Sequence, residues 1–103
     1  MIKVSVFYPN SKGAKFDMAY YLQKHIPMVQ KFWTPAVKGV TVEQGISGAA
    51  PGTAMTYRAI AQFLFNSVEE FRAAYEPHAT EVRADVPNYT DIQPFLQISE
   101  VKL

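Results

Sequence analysis

Residues 55–70 read Met-Thr-Tyr-Arg-Ala-Ile-Ala-Gln-Phe-Leu-Phe-Asn-Ser-Val-Glu-Glu. The first twelve of them, residues 55–66, are rich in aromatic and branched side chains and predict a strand. Ser67 and Glu70 then have the spacing of a capping box, with Ser67 as the N-cap and the Glu70 side chain reaching back to the Ser67 amide. The centre of the chain is therefore predicted to be a strand that leads directly into a helix.

Towards the C-terminus, the helix is interrupted by Pro77, and residues 79–85 continue in helical form. Residues 87–90 contain a proline and an asparagine and predict a turn. Residues 91–103 then predict the last strand, with Pro94 near its start. The first part of the helix is expected to bury Val68, Phe71, Ala74 and Tyr75.

Towards the N-terminus, residues 37–44 predict a second strand, and residues 2–8 alternate with the period of a first strand. Between them, residues 16–33 carry apolar side chains at helical spacing. Pro27 lies inside this helix and lacks a backbone donor, so a kink or break is expected at residues 23–27. The complete order is β-α-β-β-α-β.

This order predicts an α+β, ferredoxin-like fold, with a four-stranded antiparallel sheet and both helical segments on one face. Residues 1–103 are expected to form a single domain, because the chain is too short for two. One face of the sheet should be the helix-covered core, and its side chains are Ile2, Val4, Val6, Tyr8, Tyr57, Ala59, Ala61, Phe63, Phe65, Ile92, Leu96 and Ile98.

The opposite face is mixed, but it carries the apolar side chains of Phe7, Ile60, Leu64, Phe95 and Val101. If these side chains cluster, the patch reaches the size that marks an interaction surface. A homodimer that pairs this face with its copy is therefore expected. The alternative is that these residues are scattered singly on a solvated face.

The composition narrows the possible partners and compartments. The net charge is +1 with no basic or acidic run, which argues against nucleic-acid binding and electrostatic membrane association. The absence of cysteine excludes disulfides, thiolate metal sites and a cysteine nucleophile. The start of the chain predicts a strand rather than a signal peptide, and no segment is long and apolar enough for a membrane span. A cytoplasmic location is expected.

Residues 16–29 read Phe-Asp-Met-Ala-Tyr-Tyr-Leu-Gln-Lys-His-Ile-Pro-Met-Val, a tyrosine pair followed by Lys-His-x-Pro. This stretch resembles the first-helix signature of the EthD family. Similar matches to the second helix, the closing loop and the last strand occur at residues 65–71, 77–79, 88–91 and 93–101. The resemblance covers nearly the whole chain and implies a dimeric α+β barrel, in which the bare sheet faces of two chains close around each other.

Related barrels include heme-degrading and antibiotic-biosynthesis monooxygenases, muconolactone isomerase and polyketide cyclases. EthD-like proteins are associated with degradation pathways such as that of ethyl tert-butyl ether. The resemblance thus implies a small-molecule pocket and favours an oxidoreductase, with isomerase or dehydratase chemistry also open. Fold analogy alone gives no mechanism.

His25 is the main candidate for catalysis, because it lies on the apolar face of the first helix, four residues after Tyr21. A histidine can act as general base or acid near neutral pH. The alternative is a buried histidine that only fixes packing. Asn88 and Tyr89, on the turn before the last strand, are the further catalytic candidates, whereas Asp91 is expected to cap that turn.

Tyr8, Tyr21 and Phe63 are the predicted ligand contacts, as members of an aromatic interior. No metal site is predicted, because two histidines without cysteines or a His-x-x-x-His pair do not supply a ligand set. No cofactor is predicted either. Heme ligation by His78, the secondary candidate for the site, stays open as an alternative, since a second-helix histidine can ligate heme in related barrels.

The function that these residues favour is a metal-independent catabolic or tailoring enzyme that acts on a small hydrophobic molecule. His25 would transfer a proton, and Asn88 or Tyr89 would orient the substrate. A non-catalytic protein that binds a small molecule for a degradation pathway, and a purely structural subunit with a filled core, are the alternatives.

Overall fold

The structure is a computed structural model that describes all of residues 1–103. Its centre is a four-stranded antiparallel sheet of β1 (Ile2–Pro9), β2 (Gly39–Gln44), β3 (Tyr57–Phe65) and β4 (Phe95–Glu100). The strand order is β2-β3-β1-β4. This order confirms the ferredoxin-like prediction, because the first and third strands pair at the middle of the sheet.

The helical segments occupy the two connections between β1 and β2 and between β3 and β4. The first connection holds α1 (Met18–Tyr20), a π-helical segment (Tyr21–His25) and α2 (Ile26–Trp33). The second holds α3 (Val68–Tyr75), a 3₁₀ turn (Glu76–His78), α4 (Ala79–Asp85) and a second 3₁₀ turn (Val86–Asn88). The break predicted around Pro27 thus takes the form of a π-helical turn that ends two residues earlier.

The core lies between the helices and one face of the two central strands. Along β3 the alternation is clear, since Ala59, Ala61, Phe63 and Phe65 are buried and the residues between them are half-buried. Val4 faces Phe63 across the pair, and the Trp33 ring from α2 packs edge-on against the Phe63 ring. The helix-covered face is therefore the one that the alternation predicts.

Tyr57 is an exception to that alternation. Its ring lies 4.9 Å from that of Phe7 and 6.1 Å from that of Phe95, on the face away from the helices. The pairing shifts at this point, because Tyr8 is opposite Ala59 whereas Pro9 is opposite Tyr57, which leaves Arg58 as an extra residue. Such a bulge reorients the side chains beyond it, and a strict two-residue period misses it.

Two local predictions need correction. The Ser67 side chain accepts a hydrogen bond from the Glu70 amide at 3.2 Å, as an N-cap should, but the exposed Glu70 side chain does not bond back to the Ser67 amide. The last strand is also shorter than predicted. Residues 91–94 precede it in irregular structure, because Thr90 bridges to Phe16 rather than to β1.

Candidate functional site

A cavity of about 330 Å³ lies between the helices and the sheet. Its walls are mostly apolar, with Val6 and Phe63 from the sheet and Val29 and Trp33 from α2. The polar side chains inside it belong to His25 and to the tyrosines described below, and the exposed Arg83 and Gln93 line the cavity where it meets solvent. This size and this lining are typical of a site for a small molecule.

His25 lies at the end of the π-helical segment and is only 4% exposed. Its Nδ1 atom is 2.9 Å from the Asp85 Oδ2 atom, which comes from the last residue of α4. The other oxygen of that carboxylate accepts hydrogen bonds from the Tyr20 hydroxyl at 2.7 Å and from the Asn88 side-chain amide at 2.9 Å. Asp85 therefore holds the His25 ring while being held by two further donors.

The electrostatics of this pair fix its protonation. Burial lowers the pKa of His25 below its ordinary value, against the opposing effect of Asp85, so the ring is neutral at neutral pH. Burial alone would raise the pKa of Asp85, but the hydrogen bonds from Asn88, Tyr20 and His25 outweigh it and lower this pKa. An ionised carboxylate only accepts hydrogen bonds, so Nδ1 carries the proton and Nε2 carries a free lone pair.

Three buried tyrosine hydroxyls continue from that lone pair into the cavity. The Tyr89 hydroxyl lies 3.4 Å from His25 Nε2, and the Tyr8 hydroxyl lies 2.8 Å from that of Tyr89 and 3.4 Å from that of Tyr21. Burial raises the pKa of Tyr8, Tyr21 and Tyr89, so all three remain neutral phenols. The result is a continuous polar path from Asp85 through His25 to the cavity.

Most of the residues predicted from the sequence come together here. His25, Tyr89, Tyr8, Tyr21 and Phe63 all line the cavity. Asn88 does not line it, because its exposed side chain is directed to Asp85. Asp91 does not cap the turn as predicted, because its side chain accepts a hydrogen bond from the Lys15 amide at 2.9 Å and so ties the closing loop to the segment before α1.

His78 lies outside the cavity. Its ring stacks on that of Phe32 at 4.1 Å and 2°, and its Nδ1 atom is 3.5 Å from a Glu81 carboxylate oxygen. Neither arrangement directs the ring towards the cavity, so the residues present do not fit a heme held there by His78. No group of three or more histidine, cysteine, aspartate or glutamate side chains is placed to hold a metal ion. None of the helices has the length and apolar character needed to cross a membrane.

Three residues of the site were missed by the sequence analysis. The sequence predicts Asp85 only as the last residue of a helix. The signal that could have found it is the need of a buried histidine for a hydrogen-bond partner, because Asp85 is a carboxylate only three residues before the candidate Asn88. Arg83, on the same helix, gives no signal in the sequence. Trp33, the last residue of the apolar helical stretch 16–33, also lines the cavity, and its buried indole nitrogen has no hydrogen-bond partner.

The family model described as EthD domain matches residues 13–93 of the chain. No curated protein sequence matches this chain. Among solved structures, an EthD-like protein from Ralstonia eutropha JMP134 is 46% identical, with a TM-score of 0.95, and the match covers 99% of this chain and 92% of that one.

Two more distant structures share the fold. A dimeric ferredoxin-like protein of unknown function from Thermobifida fusca YX is 14% identical, with a TM-score of 0.60 and coverage of 97% of this chain and 90% of that one. The cofactor-independent oxygenase SnoaB from Streptomyces nogalater, in a mutant form, is 15% identical, with a TM-score of 0.54 and coverage of 99% and 92%.

Proposed function

Because the chain belongs to the EthD domain family, we propose that it is a metal-independent enzyme that binds a small hydrophobic molecule in the cavity and transfers a proton through His25. The observation that carries this proposal is the Asp85–His25 pair at 2.9 Å, with the free lone pair of Nε2 on the side of Tyr89 and the cavity. A histidine oriented by a carboxylate through one nitrogen is poised to accept a proton at the other.

The first chemical step follows from this geometry. An acidic C–H or O–H group of the ligand loses its proton to Nε2, either directly or by way of the Tyr89 hydroxyl, which passes its own proton to Nε2 and takes up that of the ligand. Asp85 stabilises the resulting imidazolium, and the phenols of Tyr8 and Tyr89 can donate to the ligand anion. No metal ion is needed for this step.

Isomerisation, dehydration and oxidation can all begin with such an anion. The oxidoreductase reading is supported by the likeness to a cofactor-independent oxygenase, and there dioxygen would be the oxidant that takes electrons from the ligand anion. This likeness supports only the general class of reaction, oxidation, and no mechanism, since the two chains are 15% identical.

The test measures proton transfer without requiring the natural substrate. The bicyclic ketone 2-tetralone has acidic C–H groups, and their exchange in D₂O is followed by NMR at saturating protein. We expect His25→Gln to slow the protein-dependent exchange by at least ~10²-fold, the usual contribution of a general base. His78→Gln is the matched control and should keep the wild-type rate. Full exchange in a folded His25→Gln protein would refute the proposal.

A second candidate function is a binding protein that holds the same kind of ligand for a partner enzyme. The apolar walls and the volume of about 330 Å³ favour it as much as they favour an enzyme. It is distinguished by stoichiometric binding of 2-tetralone with no protein-dependent exchange in either the wild type or His25→Gln.

We also propose that the chain forms a homodimer through the sheet face that the helices leave bare. The rings of Phe7, Tyr57 and Phe95 cluster there, and Phe95 is 48% exposed. We call these three residues the outer cluster. The half-buried side chains of Ile60 and Leu64 lie on the same face of β3. The likeness to a dimeric ferredoxin-like protein supports this proposal.

A further inference from the structure

Arg83 is the one side chain lining the cavity that carries a permanent charge. It lies on α4, and its guanidinium carbon is 5.9 Å from the centre of the Tyr75 ring, which also lines the cavity. A cation over a tyrosine ring is attracted by the negative face of the ring, so Tyr75 favours one position of the guanidinium at the cavity.

The neighbouring acidic groups do not neutralise Arg83. Asp85, two residues further along α4, is bonded to Tyr20, His25 and Asn88, and Glu81 lies beside His78. Residues two apart on a helix do not face each other, so neither carboxylate is placed to pair with Arg83. The guanidinium makes no hydrogen bond or ion pair, and its five N–H donors are available to a ligand.

A ligand that complements this cavity has two parts. Its body must be apolar to match walls such as Val6, Val29 and Phe63, and its charged end must be an anion placed near Arg83. A planar guanidinium pairs with a carboxylate through two parallel hydrogen bonds, which a neutral amide cannot reproduce. Since Arg83 is exposed, the anion would remain next to water and avoid most of the cost of burying a charge.

We propose that Arg83 determines specificity and selects hydrophobic carboxylates, with the carboxylate on Arg83 and the apolar body in the cavity. This deepens the proposed function and rests on its ligand cavity, while proton transfer by His25 is a separate claim. It gives the ligand an orientation, because the end held by Arg83 is the end at the solvent.

Isothermal titration with 2-naphthoate and its neutral match 2-naphthamide tests the inference. The wild type should bind 2-naphthoate more tightly than 2-naphthamide. Arg83→Gln should weaken 2-naphthoate binding by at least ~10-fold, which corresponds to about 1.4 kcal/mol, and change 2-naphthamide binding by less than about twofold. Arg83→Lys should retain part of the preference, because it keeps the charge but loses the planar fork.

Arg72→Gln is the matched control, since Arg72 is an exposed arginine on α3 that does not line the cavity. It should leave the binding of both probes unchanged. Equal binding of the two probes by the wild type, or an equal loss for both in Arg83→Gln, would overturn the inference, as would a wild type that binds neither.

Failure of this inference and failure of the proposed function give different results. If His25→Gln keeps full deuterium exchange, the proton-transfer proposal falls and the Arg83 result stands. If Arg83→Gln keeps its preference for 2-naphthoate while His25→Gln loses exchange, the Arg83 inference falls and the proton-transfer proposal stands.

Discussion

At the scale of single residues, the Asp85–His25 pair links the buried site to the surface. The His25 side chain is 5% exposed and the Asp85 side chain 15%. The histidine therefore keeps a neutral ring inside the protein, and the carboxylate that orients it keeps contact with water. Removing that carboxylate would leave the Nδ1 proton of a buried ring unpaired, at a cost of about 1–3 kcal/mol.

The lowered pKa of His25 predicts how stability depends on pH. The unfolded chain takes up a proton on His25 as the pH falls through the ordinary value of 6.5, but the folded protein does so only at a lower pH. Between these two values the unfolded state binds more protons, so the free energy of unfolding should decrease as the pH falls below 6.5. The contribution of Asp85, whose folded pKa lies below 3.8, is lost only at more acidic pH.

Urea denaturation followed by Trp33 fluorescence, at about pH 7.5 and about pH 5.5, measures this slope. We expect His25→Gln to lose less stability than the wild type between the two conditions. Parallel slopes for the wild type and His25→Gln would show that His25 protonates alike in both states.

Asp85→Asn tests whether the carboxylate sets the tautomer of His25. An amide can donate to Nδ1, which favours the tautomer with its proton on Nε2, and that form cannot accept a proton on the cavity side. We expect this variant to slow 2-tetralone exchange by at least ~10²-fold. Asn88→Ala removes only one donor to the same carboxylate and should slow it by less than ~10-fold. Comparable losses in the two variants would argue against a tautomer effect.

At the scale of the elements, the π-helical segment places the site residues. The Ile26 amide bonds to the Tyr21 carbonyl, five residues back, instead of four as in an α-helix. With this wider turn the Tyr21 and His25 rings stack at 5.3 Å and 14°, and both line the cavity. Such single turns inside helices occur frequently at functional sites.

The N-cap of α3 gives a prediction about stability. Ser67 accepts a hydrogen bond from the Glu70 amide, so Ser67→Ala should lower the free energy of unfolding by about 1 kcal/mol in urea denaturation. Because the Glu70 side chain makes no return bond, Glu70→Ala should cost less than about 0.5 kcal/mol. A cost for Glu70→Ala as large as that for Ser67→Ala would indicate a complete capping box in solution.

The elements that the sequence predicts well are those whose signals are local. The alternation along residues 59–65 and the apolar spacing of the helices depend on neighbours along the chain, and the helix at 79–85 has the predicted bounds. Asp85 was missed because it meets His25 from a position 60 residues away. The start of the last strand was misjudged for the same reason, since Thr90 pairs with Phe16 from the other half of the chain.

At the scale of the whole molecule, the sheet separates two surfaces. The cavity and its polar path lie on the face covered by helices, and the outer cluster lies on the other. A substitution on the bare face can therefore disturb association without touching His25. The two proposals, catalysis in the cavity and dimerisation through the sheet, can be tested independently.

Ile60→Glu tests the dimer. It places a charge next to the outer cluster, since Ile60 pairs with Phe7 across the two central strands. We expect sedimentation equilibrium of the wild type to give twice the 11.6 kDa chain mass and that of Ile60→Glu to give the single mass. Ile46→Glu is the matched control, because Ile46 is 92% exposed outside the sheet, and it should remain dimeric. A monomeric wild type would refute the proposal.

The register of β4 against β1 also limits how the gene can change in length. Phe95 is opposite Phe7 and Leu96 is opposite Val6. The first side chain of β4 therefore lies on the bare face, and the second lines the cavity. One codon gained or lost within β4 would exchange the faces of the side chains beyond it. Insertions and deletions that preserve both surfaces should therefore accumulate in the exposed connection at residues 46–54, because these residues lie outside the strands and a change in their number shifts no strand pairing.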